Sequence, residues 1–260
     1  MEPSRSRCTK AQEARVDLKQ SVLQALSTVT DPELDEPITD LGFVKELSVS
    51  NDGRVSLDLV TSTFWCSPNF VYMMLEEARD VVSKLDGIRE IRLHLEGHHD
   101  SDRINGGINS RKSFSECYPT EAGGNLEELN RMIRTRVLRS RLYSMVAAVS
   151  RAGINPSDLL GVTRRDFTAE GATFILTLGG KSFRISDPVD AKRIARYLSF
   201  LDGLGRGDGP LVISDLDGTR PEPHEFESML ALSRSAKSNF SLNAELCRAL
   251  LESRLNREEP

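Results

Sequence analysis

Apolar residues recur at helical spacing near the start of the chain. Leu18, Val22, Ala25, Leu26 and Val29 fall at i, i+4, i+7, i+8 and i+11, one face of an α-helix. Pro32 is expected to end it, because the residue before a proline is steered out of the α region. The period then changes to two. Val55, Leu57 and Leu59 alternate with Arg54, Ser56 and Asp58, the pattern of a half-buried strand. Residues 43–50 read as its partner, joined through Asn51-Asp52-Gly53, a hairpin turn in which Gly53 is free to take positive φ. Val71, Met74, Leu75, Ala78, Val81, Val82 and Leu85 form the cleanest helical stripe. Pro68 suits the first turn of that helix and Ser67 its N-cap. Ile91, Leu93 and Leu95 alternate again. The order αββαβ predicts a small mixed sheet with helices on one face.

The later pattern is mostly helical. Leu126, Leu129, Ile133 and Val137 share one face, and a second helix is expected over about residues 141–152, stopping at Gly153. Asn155-Pro156 opens a short helical turn. Residues 173–178 and 182–186, joined by Gly179-Gly180, read as a hairpin. Asp187-Pro188 caps a helix to about Leu201, residues 210–214 read as a short strand, and residues 222–235 and 242–255 as two further helices. The expected class is therefore α/β in the α+β sense, an αββαβ unit followed by a mostly helical one with a hairpin.

Composition and charge sharpen this division. Of the 260 residues, 38% are hydrophobic and 28% charged, with 34 basic against 39 acidic side chains. Residues 1–120 hold 14 basic and 20 acidic groups, net −6, and residues 121–260 hold 20 and 19, net +1. The change falls at Tyr118–Asn125, where Pro119 and Gly123-Gly124 disfavour regular structure. The expected layout is a flexible N-terminus over 1–14, an αββαβ domain over 15–117, a linker over 118–125 and a partner-binding extension over 126–260. The acidic balance disfavours a nucleic-acid partner. No apolar run reaches membrane-span length and no secretory h-region opens the chain, so a cytoplasmic location without membrane association is expected. The four cysteines, Cys8, Cys66, Cys117 and Cys247, have no C-x-x-C spacing and read as free thiols in a reducing compartment.

The sharpest candidate chemistry is Thr61–Pro68, T-S-T-F-W-C-S-P. It lies between a strand end and a helix start, where unpaired N–H groups would favour a thiolate at Cys66. Thr61, Ser62, Thr63 and Ser67 surround it with hydroxyls. A second cluster, Asp31–Asp40, carries five carboxylates in ten residues, which could orient a hydroxyl, accept backbone N–H bonds or bind a cation, although composition favours a solvated acidic loop. His98 and His99, in H-L-E-G-H-H-D-S-D, are weak metal candidates. Adjacent residues would face opposite ways on a strand, and a polar loop is the expected reading.

Taken in order, VTDPELDEPITDLGFV, the hairpin, VTSTFWCSPNFVYMML and IREIRLHL resemble the SufT/PaaD-type iron–sulfur assembly domain over about residues 15–97. That family's pattern is a D-P-E turn, an L-G-[LI]-V segment and a T-x-x-x-C-P-like loop that opens a helix. Asp31, Pro32, Glu33, Leu41, Gly42, Val44, Thr61, Thr63 and Cys66 match it. Two residues are added before Pro37, and Ser67 separates Cys66 from Pro68. The resemblance implies a maturation factor that is not an enzyme. Cys66 would contact metal, cluster or client, and Asp31, Glu33, Thr61, Thr63 and Ser67 would support it. The cargo would be a transient iron–sulfur cluster or iron. Partners would be a client metalloprotein such as an oxygenase, or other cluster-assembly proteins, with a homodimer allowed. One thiolate is a poor cage for a cluster that generally takes four ligands, so further ligands would come from elsewhere.

Two other patterns occur in the C-terminal half. Val212–Thr219, V-I-S-D-L-D-G-T, resembles a haloacid-dehalogenase motif centred on Asp215, but only 41 residues follow it, too few for that fold, and Asp217-Gly218 reads better as a turn. The order of elements from Ser140 to Phe226 faintly resembles a tyrosine-recombinase catalytic domain. Asn155 stands where that family has Arg, and no Tyr follows Tyr197. The alternative this leaves is a DNA-binding or regulatory role for a degenerate domain. Arg131, Arg134, Arg136, Arg139 and Arg141 form the one basic cluster, and their spread round a helix suits solvent or an acidic partner.

Overall fold

The computed structural model describes residues 17–120 and 126–258. It has the mixed α/β class expected and divides into two compact units. Residues 1–126 and 242–260 form one, and residues 127–241 the other. The expected N-terminal segment 1–14, Cys8 and most of the stretch 118–125 lie outside the described residues.

In the first unit, helix α1 covers residues 17–26 and buries Val22 and Leu26. It stops before Pro32. Tight bonds from the N–H of Thr28 to Ala25 O and of Val29 to Leu26 O close it, and the Ser27 and Thr28 hydroxyls cover two of its last carbonyls. Pro32 instead sits in the turn of a small ribbon in which β1 (Thr30–Asp31) pairs antiparallel with β2 (Glu36–Pro37).

The hairpin and third strand form as the alternation predicts. Strand β3 (Val44–Val49) pairs antiparallel with β4 (Arg54–Val60), and Gly53 in the turn has φ +81°. Strand β5 (Glu90–Glu96) lies parallel to β4, with Leu57 opposite Leu93. The parallel step requires a crossover, supplied by helix α2 (Pro68–Ser83), which buries Val71, Tyr72, Met74, Leu75, Ala78 and Val82. Pro68 is in its first turn as expected. Two further helices follow β5, α3 (Ser101–Asn109) and α4 (Phe114–Cys117). Asn105 and Asn109 of α3 bond the backbone of Leu95 and Leu93 and so cover the outer edge of β5.

The second unit opens on one helix, α5 (Leu126–Arg151), rather than two, because no glycine or proline interrupts that run. Asn155 caps a 3-10 turn over Pro156–Gly161 through the N–H of Ser157. Strands β6 (Phe167–Glu170), β7 (Thr173–Leu178) and β8 (Lys181–Ile185) make an antiparallel sheet. The β7–β8 hairpin matches the sequence pattern, and β6 is an addition to it. Asp187 caps helix α6 (Pro188–Gly203), accepting from the N–H groups of Val189 and Asp190. No strand forms at 210–214. Pro210 makes one isolated bridge to Thr163, and Tyr197 donates its hydroxyl to Leu211 O at 2.6 Å. The two expected C-terminal helices are one, α7 (Phe226–Glu258), since residues 235–242 contain no helix breaker.

Among the described residues no helix is long and apolar enough to cross a membrane.

Candidate functional site

The T-S-T-F-W-C-S-P loop links β4 to α2. Thr61 and Ser62 are buried, and the Thr61 hydroxyl donates to Thr63 O at 2.8 Å, which curls the loop on itself. The curl brings the Thr63 hydroxyl to 3.4 Å from Cys66 Sγ and the Ser62 hydroxyl to 3.7 Å. Cys66 is half-buried and free. Ser67 holds the N-cap position of α2, but its hydroxyl bonds to the Asn69 side chain and not to a backbone N–H. The cap is therefore one of position alone.

His98 holds the far side of the loop. It is only 2% exposed, which corrects the expectation of a solvated polar loop. Its Nδ1 accepts the N–H of Asp100 at 3.1 Å, so the neutral ring carries its proton on Nε2, 2.7 Å from Cys66 O, and donates there. Burial holds the His98 pKa below its ordinary value, which favours this neutral form. With both nitrogens engaged, His98 has no lone pair left for a metal. The Asp100 carboxylate accepts the Tyr118 hydroxyl at 2.5 Å. A line of bonds thus runs from Tyr118 through Asp100 and His98 to the backbone of Cys66. His99 acts on the same loop from outside. Its N–H donates to Phe64 O at 3.0 Å, and its ring lies 5.0 Å from that of Trp65. Trp65 is 74% exposed and Phe64 46%, so the loop offers two aromatic side chains to solvent beside the thiol.

The acidic cluster is not the solvated loop its composition suggests. Asp31 and Asp35 are buried. Asp31 Oδ1 accepts the N–H groups of Glu33 at 2.7 Å and Leu34 at 3.0 Å and so forms the turn between β1 and β2. Burial pushes its pKa up to about 6, against the opposing pull of those two N–H groups. Glu33 is exposed.

One residue escaped the sequence reading. Cys247, on the part of α7 that belongs to the first unit, packs against the core of that unit. Burial pushes the Cys247 thiol up. Arg254, further along the helix, donates to Thr61 O at 3.0 Å and to Gly97 O at 2.7 Å. Hence Thr61, Ser62, Thr63 and Cys66 lie together on one loop with His98 against its backbone, Asp31 shapes the separate β1–β2 turn, and α7 bonds the Cys66 loop in a way the local patterns did not predict. Among the described residues no three His, Cys, Asp or Glu side chains converge as a metal cage. The donors present do not amount to a complete cluster site.

In the second unit Asp215 Oδ1 accepts the N–H groups of Asp217 and Thr219, each at 3.0 Å. The D-L-D-G-T run is thus a turn, with Gly218 at φ +85°. The basic cluster is partly engaged within its own unit. Arg131 pairs with Asp217, and the guanidinium groups of Arg136 and Arg141 lie over the rings of Phe240 and Phe200.

Comparison with known proteins places the first unit. Residues 19–93 match the family described as iron-sulfur cluster assembly protein. An uncharacterized protein of Methanocaldococcus jannaschii is 32% identical over 87 residues, 34% of this chain and 90% of that protein. The chain belongs to this iron–sulfur cluster assembly family through that domain. An iron-sulfur cluster carrier protein of Mycobacterium tuberculosis is 31% identical over 87 residues, 34% of this chain but 22% of the carrier. An Fe-S protein maturation auxiliary factor of Bacillus subtilis is 24% identical over 78 residues, 30% of this chain and 74% of that factor. The chain thus spans about a fifth of the mycobacterial carrier's length. No solved structure matches it.

Proposed function

We propose that this protein is an iron–sulfur maturation factor that hands a cluster, or iron, to a client protein through Cys66, and that it works as an adaptor and not as a catalyst. The observation that carries this reading is the loop itself. A free thiol is held beside two exposed aromatic rings by Ser62, Thr63, His98 and His99. The cluster is cargo. The half-buried thiol would supply one ligand, and the aromatic rim would offer apolar area to the client during contact. The fixed backbone keeps the thiol from moving while ligands exchange.

The matched domain and the names of its relatives support the class of function. The family resemblance suggests an oxygenase as one client, and other cluster-assembly proteins as donors of the cargo.

Cys66→Ala should fold like the wild type, because it removes one half-buried atom. It should abolish activation of the client. The measurement is the activity of an iron–sulfur oxygenase in cells that carry only the variant. Full activity with Cys66→Ala would overturn the proposal.

A further inference from the structure

We propose that the edge of β5 at Ile91, beside Arg79, Arg89 and Arg111, docks a short extended segment of a partner protein that carries a carboxylate side chain. The place is separate from the Cys66 loop, and the inference goes beyond delivery through that thiol.

The opening follows from where α3 ends. Alternate residues of a strand send their N–H and C=O groups to the same edge. Those of Leu93 and Leu95 face away from β4 and are covered by Asn109 and Asn105 of α3. Ile91, two residues earlier in β5, faces its groups the same way. Helix α3 has stopped by then. The N–H of Arg111 bonds to Ile108 O and that of Lys112 to Gly107 O, the paired bonds that close a helix. No asparagine of α3 remains for Ile91, and its N–H and C=O stay uncovered among the described residues.

Arg111 is the second observation. It sits at φ +56°, in the left-handed region that glycine usually fills at this position of a helix end. An arginine there costs stability, and a role outside the fold accounts for it. Together with Arg79 and Arg89 it lines a cavity of about 200 Å³. Arg79 is fixed by its bond to Ile108 O at 2.9 Å, with Asp80 3.8 Å away. Arg89 and Arg111 are exposed, and among the described residues their guanidinium groups make no hydrogen bond or ion pair. Glu90 also lies on the wall, one carboxylate against three cations.

These parts select the occupant. The volume is below the roughly 300–1,000 Å³ of small-molecule sites and admits a side-chain carboxylate. Guanidinium groups hold carboxylates through charge-assisted bonds. An extended residue lying antiparallel to Ile91 exchanges two backbone bonds with it. Strands β4 and β5 run side by side from Arg54 and Glu90 to Val60 and Glu96. The Cys66 loop follows Val60, about 20 Å along the strand from the cavity. A partner docked at Ile91 therefore leaves the thiol free to exchange cargo.

The test is a titration of the isotope-labelled full-length chain with the blocked peptide Val-Glu-Val-Glu-Val, followed by heteronuclear NMR. The Ile91 amide should shift together with the side-chain N–H groups of Arg79, Arg89 and Arg111. The same peptide with Gln in place of both Glu residues should bind about tenfold more weakly, the loss of one charge-assisted bond. Arg111→Gly should lose as much affinity while its urea midpoint stays at or above that of the wild type. No shift at Ile91 with millimolar peptide, or equal binding of the Gln peptide, would overturn the proposal. So would inorganic phosphate that shifts Ile91 as far as the peptide does, since the site would then be a plain anion pocket. Wild-type affinity with a lowered midpoint in Arg111→Gly would assign that residue to the fold and strike it from the site. The first arm uses the wild-type chain, so no folding defect can obscure it. Neither arm involves metal or Cys66, and their failure leaves delivery through Cys66 standing.

Discussion

Both units bury polar side chains, and they use them differently. In the first, Thr61, Ser62 and His98 are buried around one loop, and their bonds end on the backbone and thiol of that loop. In the second, Asp190 is buried at the start of α6, where its carboxylate holds Arg151 of α5 and Arg193 of α6. Asp190 staples two helices, and nothing reactive is presented beside it. Buried polar groups cost stability unless fully bonded. The first unit bears that cost at a place which leaves a free thiol and two exposed aromatic rings. The second bears it for packing. The proposed function is therefore placed at the first cluster, although the charge count of the two halves pointed to neither.

Substitutions that remove one polar group at a time should sharpen this contrast. The largest effect is expected from His98→Ala, which opens a void and leaves Cys66 O and the N–H of Asp100 without partners. The cost should be about 2–4 kcal/mol, read by urea unfolding, with faster alkylation of Cys66 as the loop loosens. Unchanged alkylation would mean that His98 does not hold the loop.

Asp31→Asn comes next and should show in the pH dependence. The folded pKa of Asp31 is about 6, above its unfolded value near 4. Below pH 4 the group is protonated in both states. Its stabilising share is full there and is lost as pH rises through 6. The variant should gain on the wild type between pH 4 and 7 by about 2–3 kcal/mol. A flat difference across that range would contradict the buried carboxyl.

Asp190→Ala should cost about 1–3 kcal/mol, since the two arginines it releases are themselves partly exposed. Alkylation of Cys66 should be untouched, and a change there would blur the distinction between the two polar clusters. The smallest effect on folding is expected from Trp65→Ala, within about 0.5 kcal/mol for so exposed a side chain. Client activation should nonetheless fall, and wild-type activation would remove the aromatic rim from the site.

The parts of this arrangement that were legible in the sequence are those with local signals. Alternation marked β4 and β5, the Asn51-Asp52-Gly53 turn marked β3 as the partner of β4, the apolar stripe and Pro68 marked α2, and the position of Cys66 between a strand and a helix marked the thiol. Helix α3 was hidden because Gly106-Gly107 is poor helix chemistry. Gly107 is nevertheless required, since a Cβ there would lie 2.2 Å from Cys117 Sγ and 2.9 Å from the Tyr72 hydroxyl. His98 looked like part of a polar loop because its partner is a backbone carbonyl 32 residues away, and carbonyls leave no trace in composition. Cys247 was read as an isolated thiol. Its inward face was legible as Ala244, Cys247 and Leu251, but exposed Leu242, Leu246 and Leu250 form a competing apolar stripe on the same helix. Sequence spacing alone does not tell which stripe faces the core.

Cluster transfer between purified proteins tests thiol-dependent delivery most directly. The full-length chain, loaded anaerobically with iron and sulfide, is mixed with a purified apo-ferredoxin, and the visible circular dichroism of the ferredoxin is followed with time. Cys66→Ser, folded by its far-ultraviolet spectrum, should leave the ferredoxin no better supplied than free iron and sulfide do, whereas the wild type should fill it faster. Equal rates for Cys66→Ser and the wild type would contradict delivery through Cys66.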